Sequence, residues 1–423
     1  MADKLTRIKG FADLFPPDSD AFTLMETAAR EVFGAHGYAE LRLPVLERTE
    51  LFARSIGDET DVVQKEMYTF TDRGDRSLTL RPEATAGVMR AYIESARHTL
   101  EPVSKYFTSG PMFRYERPQK GRMRQFHQIN CECLGAVEPH ADAEVIIMLM
   151  QFLTRLGIKD LSVSLNSLGC KECRPAYHQA LRAFLQTLDK ERLCADCLRR
   201  MDTNPLRVLD CKVPDCQALL AGAPQVIDYN CEACRAHIAV VERLLKAARV
   251  DYVMNPRLVR GLDYYNRTTF EVLSGNIGAQ SAVAGGGRYD GLIRDLGGPD
   301  IPGIGFACGM ERLAMLLPEH ASPRPDFYLA PLAPEALDEA LVLAEKLRAA
   351  GLHGQVAFAA KSLKSQMRQA GKLMARKCVM LGQDELAAQT ALIKDMDSGE
   401  QETAPLADLI TALRRMLPAG QKD

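Results

Sequence analysis

The sequence predicts an α+β protein: a core of antiparallel strands and helices, interrupted by a cysteine-rich insertion and followed by a small α/β domain. Three observations predict it. Short apolar runs at 67–71, 77–80, 105–109, 112–115 and 128–134 are separated by turns and by one clear helical stretch at 83–97, an antiparallel pattern. Eight of the twelve cysteines fall in close pairs between residues 168 and 253. From residue 326 onward, strand-like and helix-like segments alternate in β-α-β order.

A chain of 423 residues with 47% apolar and 26% charged content can bury a sizeable core and divide into two or three domains. The boundaries expected are a core at 1–317 with its insertion at 168–253, a proline-rich linker at 318–325, and a last domain at 326–423. No run of about eighteen apolar residues occurs, and Met1 to Arg7 lack a secretory apolar stretch, so a cytoplasmic protein without a membrane partner is expected. The formal charge of −2 assigns any nucleic-acid binding to local basic patches rather than to a global field.

Taken in order, Phe22, Met25, Ala29, Val32 and Phe33 recur at three and four, so 19–33 reads as an amphipathic helix, stopped by Gly34 and Gly37. An alternating strand at 39–43 ends at Pro44, which cannot donate to a ladder. Beyond the antiparallel runs, Asp142 is placed to N-cap a helix that Gly157 ends, and a strand follows at 161–165. Two amphipathic helices are expected inside the insertion, near 175–188 and 236–248. Strands return at 268–273 and 280–284, before a glycine-rich stretch at 285–291 and a strand-to-helix passage around Gly305. In the last domain, strands at 326–330, 354–359 and 377–382 alternate with helices at 335–350 and 363–375.

Polar chemistry concentrates in three segments. Arg260-Gly261-Leu262-Asp263-Tyr264-Tyr265, with Phe270-Glu271 beyond it, supplies a cation, two phenols and carboxylates. Such groups suit a pocket for a small polar amino acid, because polar partners reject substrates lacking the matching donor or acceptor. Phe113-Arg114-Tyr115-Glu116-Arg117 and the stretch from Gly305 to Arg312 add arginines. No P-loop sequence occurs, which leaves phosphates to arginine forks. The run 303–309 imitates a dinucleotide fingerprint, but Cys308 replaces the third glycine and no βαβ unit surrounds it, so a Rossmann site is rejected. Glycines beside Arg312 would instead let the backbone approach a flat base, although a glycine-packed strand with a surface arginine has the same sequence.

On a strand, Arg114 and Glu116 would project from one face. The loop 117–124 is basic, Lys120 included, and the returning strand places Phe126, Gln128 and Glu132 on a common face. In isolation this hairpin would read as a solvated edge. Glu83 and Thr85 fall at a helix start, where a carboxylate can bind a substrate ammonium or simply favour the helix dipole.

In this order the segments resemble the motifs of class II aminoacyl-tRNA synthetases, and 258–270 with 285–291 resemble stretches peculiar to the histidyl-tRNA synthetases. The resemblance covers essentially the whole chain. It implies a class II antiparallel core, an anticodon-binding-like C-terminal domain, and a homodimer formed through the first helix and strand, which as sequence also fit a helix packed on any sheet. The activity it implies is ATP-dependent conversion of L-histidine to histidyl-adenylate, with Mg2+ accompanying ATP, and transfer of the histidyl group to the 3′ end of tRNA(His). By the same resemblance Arg114 grips the α-phosphate and carboxylate region, Arg122 and Arg312 hold the outer phosphates, Phe126 stacks with adenine and Glu116 reads its amino group. Glu83, Thr85, Gln128, Glu132, Tyr264 and Tyr265 would surround histidine. Arg260 would stabilise charge developing on the α-phosphate, which makes Arg260 and Arg114 the catalytic residues. Gln119 and Arg124 would meet the acceptor end of the tRNA.

Lys361, Lys364, Arg368, Lys372 and Arg376 form one basic helical face, suited to phosphate contact or to plain solvation. Two rival readings share the core: the regulatory subunit of ATP phosphoribosyltransferase, and a synthetase for proline or threonine. Arg260, the intact 262–265 run and the C-terminal domain argue against the first; Tyr264-Tyr265 argues against the second.

Cys170-x2-Cys173 and Cys194-x2-Cys197 are separated by twenty residues, and Cys211-x4-Cys216 and Cys231-x2-Cys234 by fourteen. Each pair can occupy two corners of a tetrahedron, so the eight cysteines can make up to two closed, structural zinc sites. Free thiols or a redox disulfide are the alternatives, and spacing leaves the pairing open. Cys131, Cys133, Cys308 and Cys378 have strand-like neighbours and read as buried small hydrophobes.

Overall fold

The computed structural model describes residues 4–57, 60–119, 121–262, 264–275, 282–318 and 323–417. Lys120, Asp263, the start of the expected 280–284 strand and linker residues 319–322 lie outside them. The chain divides into two compact units, Met1–His320 and Ala321–Asp423.

The first unit is built on an eight-stranded sheet, in the order Ala39–Glu40, Ser104–Phe113, Gln125–Leu134, Gly303–Gly309, Ala282–Arg288, Asn266–Ser274, Leu161–Ser167, Tyr252–Met254. Pairing is antiparallel except at the two edges, where Ala39 matches Tyr106 and Val163 matches Tyr252 in parallel register. Helices Asp18–Ala35, Pro139–Arg155 and Glu232–Ala247 pack their apolar stripes on one face of this sheet. Phe33 centres that core, with its ring 5.1 to 5.8 Å from those of Phe152, Phe107 and Phe306. The four cysteines outside the insertion are buried, and burial pushes the Cys133 thiol up to about 11.

Several elements differ from the sequence reading. The expected runs 105–109 and 112–115 are one strand, Ser104–Phe113, because Gly110 and Pro111 stay in register with Gln128 and His127. That strand stops before Arg114. The strand expected at 39–43 shrinks to Ala39–Glu40, and Leu46–Arg48 beyond Pro44 joins a separate three-stranded sheet with Ser77–Leu80 and Tyr68–Thr71. Asp142 does not cap its helix, which begins at Pro139, a residue suited to the first turn. Instead Asp142 is fully buried, held by Arg288 and by His237 Nε2 at 2.7 Å.

Within the expected insertion, Glu232–Ala247 and Tyr252–Met254 belong to the first core: Ile238, Val241 and Leu245 are buried there and the strand completes the sheet. The remaining segment folds as helices Arg174–Gln186, Ala195–Thr203 and Pro214–Leu219. Their apolar residues, Leu181, Leu185 and Met201 among them, join Val208 of the short turn Pro205–Val208 in a second core that also buries Tyr265 and Tyr289.

In the second unit, Gly354–Val356, Phe327–Pro331 and Lys377–Leu381 pair in parallel, and Thr390–Asp395 and Gln401–Pro405 extend the sheet antiparallel. Helices Ala336–Ala349 and Leu409–Met416 bury Leu343, Leu347, Leu409 and Leu413 in one core. Helix Leu363–Lys372 buries Ala370 and Gln366, whose Oε1 accepts from the Tyr328 hydroxyl at 2.8 Å.

Candidate active site

Strand periodicity sets the site opposite the first core. Along Gln125–Leu134, Ile129, Cys131 and Cys133 enter the core, while Phe126, Gln128, Asn130 and Glu132 line a cavity of about 480 Å³. Asn130 completes the face that the sequence marked only with Phe126, Gln128 and Glu132.

At one end of the cavity, Glu132 is buried and accepts from Thr85 Oγ1 at 2.7 Å and from the Tyr289 hydroxyl. Burial lifts its carboxyl to about 8, against the opposing pull of the Tyr289 and Thr85 hydrogen bonds. Gly305 makes room for it, because a Cβ there would collide with the Glu132 carboxylate. The Glu83 carboxylate accepts from the backbone N–H groups of Thr85 and Ala86, each at 2.7 Å, and so starts helix Thr85–Glu94 from just outside it. Burial raises Glu83 too, opposed by those same N–H groups. The rings of Tyr264 and Tyr265 lie 4.6 Å apart, and Tyr289 meets Tyr264 edge-on at 5.7 Å. Tyr289 adds a third phenol absent from the expected site, although its glycine-rich segment was marked.

Arg260 pairs with Glu271 of strand Asn266–Ser274. Opposite it stands Gly285, where a side chain would take the guanidinium's place. Three buried polar atoms on these walls have no hydrogen-bond partner among the described residues: Gln128 Oε1, Asn130 Oδ1 and Arg260 Nε. Buried polar groups are nearly always satisfied, so this orphaned set fits a polar ligand.

The other end is cationic. Arg114 donates from Nε to Pro82 O at 2.8 Å and stands 5.3 Å from the Phe126 ring centre. Arg122 reaches Glu116 at 3.3 Å, and Arg312 donates to Ala282 O at 2.9 Å. Burial, then the charges of Arg122 and Arg114, lower the Arg312 pKa, which marks a wall that gains from an anion. Glu311 fixes the start of helix Met310–Ala314 by accepting from His127 N at 2.9 Å, and this places Arg312.

Arg114 and Glu116 do not share a strand face. They follow Phe113 in an irregular stretch held by Tyr115 N to Glu66 O at 2.7 Å and Arg114 N to Arg124 O at 2.9 Å. Both still line the cavity. Gln119 is exposed and bridges Arg122, while Arg124 lies 3.9 Å over the Tyr115 ring; neither lines the cavity. Asp61, Glu66, Arg207 and Asp210 also line it, and no sequence motif marked them. Arg207 and Asp210 come from the insertion and pair at 3.2 Å.

The eight insertion cysteines form two groups, Cys170, Cys173, Cys231 and Cys234, and Cys194, Cys197, Cys211 and Cys216, with the sulfurs of each group within 4.8 Å of one another. The arrangement is nested, outer pair with outer pair. Backbone N–H groups already point at sulfur, Cys170 N to Cys173 Sγ at 3.2 Å and Cys194 N to Cys216 Sγ at 3.3 Å.

An antiparallel sheet whose floor joins an arginine wall to a buried polar end, without a P-loop, defines the class II aminoacyl-tRNA synthetases. The family model for histidyl-tRNA synthetase matches residues 10–313, and that for the anticodon binding domain matches 326–416. A histidine–tRNA ligase of Nitratidesulfovibrio vulgaris (strain DP4) is 68% identical over 417 residues, 99% of each chain. A crystal structure of apo S. aureus histidyl-tRNA synthetase superposes with a TM-score of 0.81 at 34% identity, covering 97% of this chain and 100% of that one. This chain therefore belongs to the histidyl-tRNA synthetase family. A Bacillus halodurans structure described as an ATP phosphoribosyltransferase regulatory subunit/histidyl-tRNA synthetase has a TM-score of 0.66 at 19% identity, over 90% of this chain and 99% of that one, and shares the fold alone.

Proposed function

We propose that the chain activates L-histidine with ATP and transfers the histidyl group to the 3′ end of tRNA(His), releasing AMP and diphosphate. The observation that carries this is that a buried carboxyl and phenols adjoin an arginine wall in one cavity. Histidine lies among Glu83, Thr85, Gln128, Glu132, Tyr264 and Tyr265. Glu132, held protonated by burial up to about 8, donates to a neutral imidazole nitrogen. ATP lies along Arg114, Arg122 and Arg312, with adenine on Phe126 and its amino group at Glu116.

The histidine carboxylate attacks the α-phosphate in line and diphosphate leaves; the terminal ribose hydroxyl of tRNA then takes the acyl group and AMP leaves. The nucleophile of the first step is already an anion, so positioning and electrostatic stabilisation dominate. Arg260 and Arg114 are the catalytic residues, stabilising charge on the α-phosphate oxygens. Mg2+ would accompany ATP and would add to the arginines' neutralisation of its phosphates.

For tRNA, Gln119 and Arg124 serve the acceptor end, and the exposed Lys361, Lys364, Arg368 and Lys372 serve the module at 326–423. A homodimer belongs to the same reading, supported by the exposed apolar Leu24, Val45 and Leu46 on and just beyond the first helix and strand. No helix among the described residues is long and apolar enough to cross a membrane, and the cytoplasm is the compartment we propose.

The insertion holds two structural zinc ions. A zinc–sulfur bond of about 2.3 Å sets tetrahedral edges of roughly 3.8 Å. Sulfur separations of 3.7, 3.8 and 3.9 Å in the first group and 3.8 Å in the second match that edge. Charging of a tRNA(His) transcript with labelled histidine tests the activity: acylation dependent on ATP supports it, and a folded, magnesium-supplied protein that leaves the transcript uncharged refutes it.

A further inference from the structure

We infer that Arg174 is a positioning residue for the histidine site, and that the Cys170, Cys173, Cys231 and Cys234 centre holds it in place. This rests on the reading that Tyr264 and Tyr265 surround histidine. Arg260, Gly261, Leu262, Tyr264 and Tyr265 lie in bends, a turn and irregular backbone, so no helix or strand ladder holds them. Such a segment needs side-chain anchors to present two phenols in a fixed place. Arg174 provides one, donating from Nη1 to Tyr265 O at 3.1 Å. Arg260, through Glu271, provides another at the opposite end.

Arg174 is placed by the first thiolate group. It begins helix Arg174–Gln186 immediately after Cys173, and its N–H donates to Cys170 O at 3.0 Å. The group is tied in turn to the strand that follows Tyr265. Leu168 N donates to Arg267 O at 2.7 Å, and Arg267 N donates to Gly169 O at 2.9 Å, one residue from Cys170. Gly169 takes φ +73, and a Cβ there would stand 2.7 Å from Cys173 Sγ, so the chain turns into the centre with no spare room. A closed path therefore runs from Cys170 through Arg174 to Tyr265, and back through Arg267 and Gly169. Behind Tyr265, Arg174 also lines a second cavity of about 270 Å³. Shortening its side chain leaves space into which the Arg260 to Tyr265 segment can relax.

The chemistry gives a separable test on the full chain, with calorimetric histidine binding, pyrophosphate-exchange kinetics and zinc content measured together. Arg174→Ala should weaken histidine binding and raise the histidine KM by about tenfold, the scale of one lost hydrogen bond from a charged donor. The ATP KM and zinc content should stay at wild-type values, and Arg174→Lys should recover part of the loss. Zinc-depleted wild type should show the same weakening, and Arg174→Ala should add little to it. Unchanged histidine affinity in folded, zinc-loaded Arg174→Ala would overturn the anchor. Zinc-depleted, folded protein that binds histidine as tightly as the loaded form would overturn the role of the centre. Wild-type protein that binds no histidine would remove the site reading along with both, which distinguishes that failure from the other two.

Discussion

Replacing Glu132 with glutamine should make the protein more resistant to alkaline pH while weakening its hold on histidine. Glu132 is a carboxyl whose ordinary value of 4.5 is lifted to about 8 by burial. Between those two values the folded chain binds a proton that the unfolded chain has released. The contribution is therefore fully present below 4.5 and is lost as pH rises through about 8. At 1.36 kcal/mol per pH unit the whole shift corresponds to on the order of 5 kcal/mol, an upper limit that local relaxation reduces. Glutamine keeps the shape and has no proton to lose. The Tyr289 and Thr85 hydroxyls, each able to donate or accept, can still pair with an amide. Urea denaturation at intervals from pH 5 to pH 9 measures the effect: wild type should lose stability across this range by several kcal/mol more than Glu132→Gln. Histidine affinity in the wild type should fall above about pH 8, while Glu132→Gln binds more weakly and without that step. Parallel stability curves for the two proteins would refute the reasoning, because Glu132 would then not be the buried proton holder.

Three further outcomes follow from the same geometry. Arg260→Ala should retain ATP binding and lose adenylate formation, with a penalty on the order of 3 kcal/mol in kcat, read by single-turnover kinetics; retained turnover would remove Arg260 from catalysis. Asp142→Ala leaves the buried Arg288 without its main counter-ion and should cost about 3–5 kcal/mol in urea denaturation; a loss below about 1 kcal/mol would show that Arg288 finds solvent. Elemental analysis should give two zinc ions per chain, and chelation should lower the melting temperature without dissolving the main sheet; a metal-free, fully folded chain would contradict the zinc reading.

Local patterns in the sequence carried the sheet core. The period-two apolar runs anticipated Ser77–Leu80 and most of Gln125–Leu134, and helical spacing anticipated Asp18–Ala35. Long-range pairings were not legible. Asp142 has the composition of an N-cap, but its partners Arg288 and His237 lie far along the chain, and a buried ion pair outweighs a capping preference. Four cysteine pairs allow several pairings by spacing, and only the fold of the insertion selects the nested one. Glu232–Ala247 read as part of the insertion because it begins with cysteines, although its far face is core-facing.

On the candidate site, parity along one strand was enough to align Phe126, Gln128 and Glu132, since a ladder fixes which face each residue takes. Parity failed for Arg114 and Glu116 because the strand had already ended, and their place on the cavity comes from contacts to Glu66 and Arg124. Arg207 and Asp210 carry no motif at all; they reach the cavity because helices of the insertion pack beneath Tyr265.

The central claim is that this cavity activates histidine, and amino-acid-dependent ATP–pyrophosphate exchange tests it most directly. With purified, magnesium-supplied protein, exchange should be driven by histidine and by neither proline nor threonine. Exchange driven by another amino acid, or none from folded protein, would contradict the assignment of the Glu132, Tyr264 and Tyr265 end of the cavity to histidine.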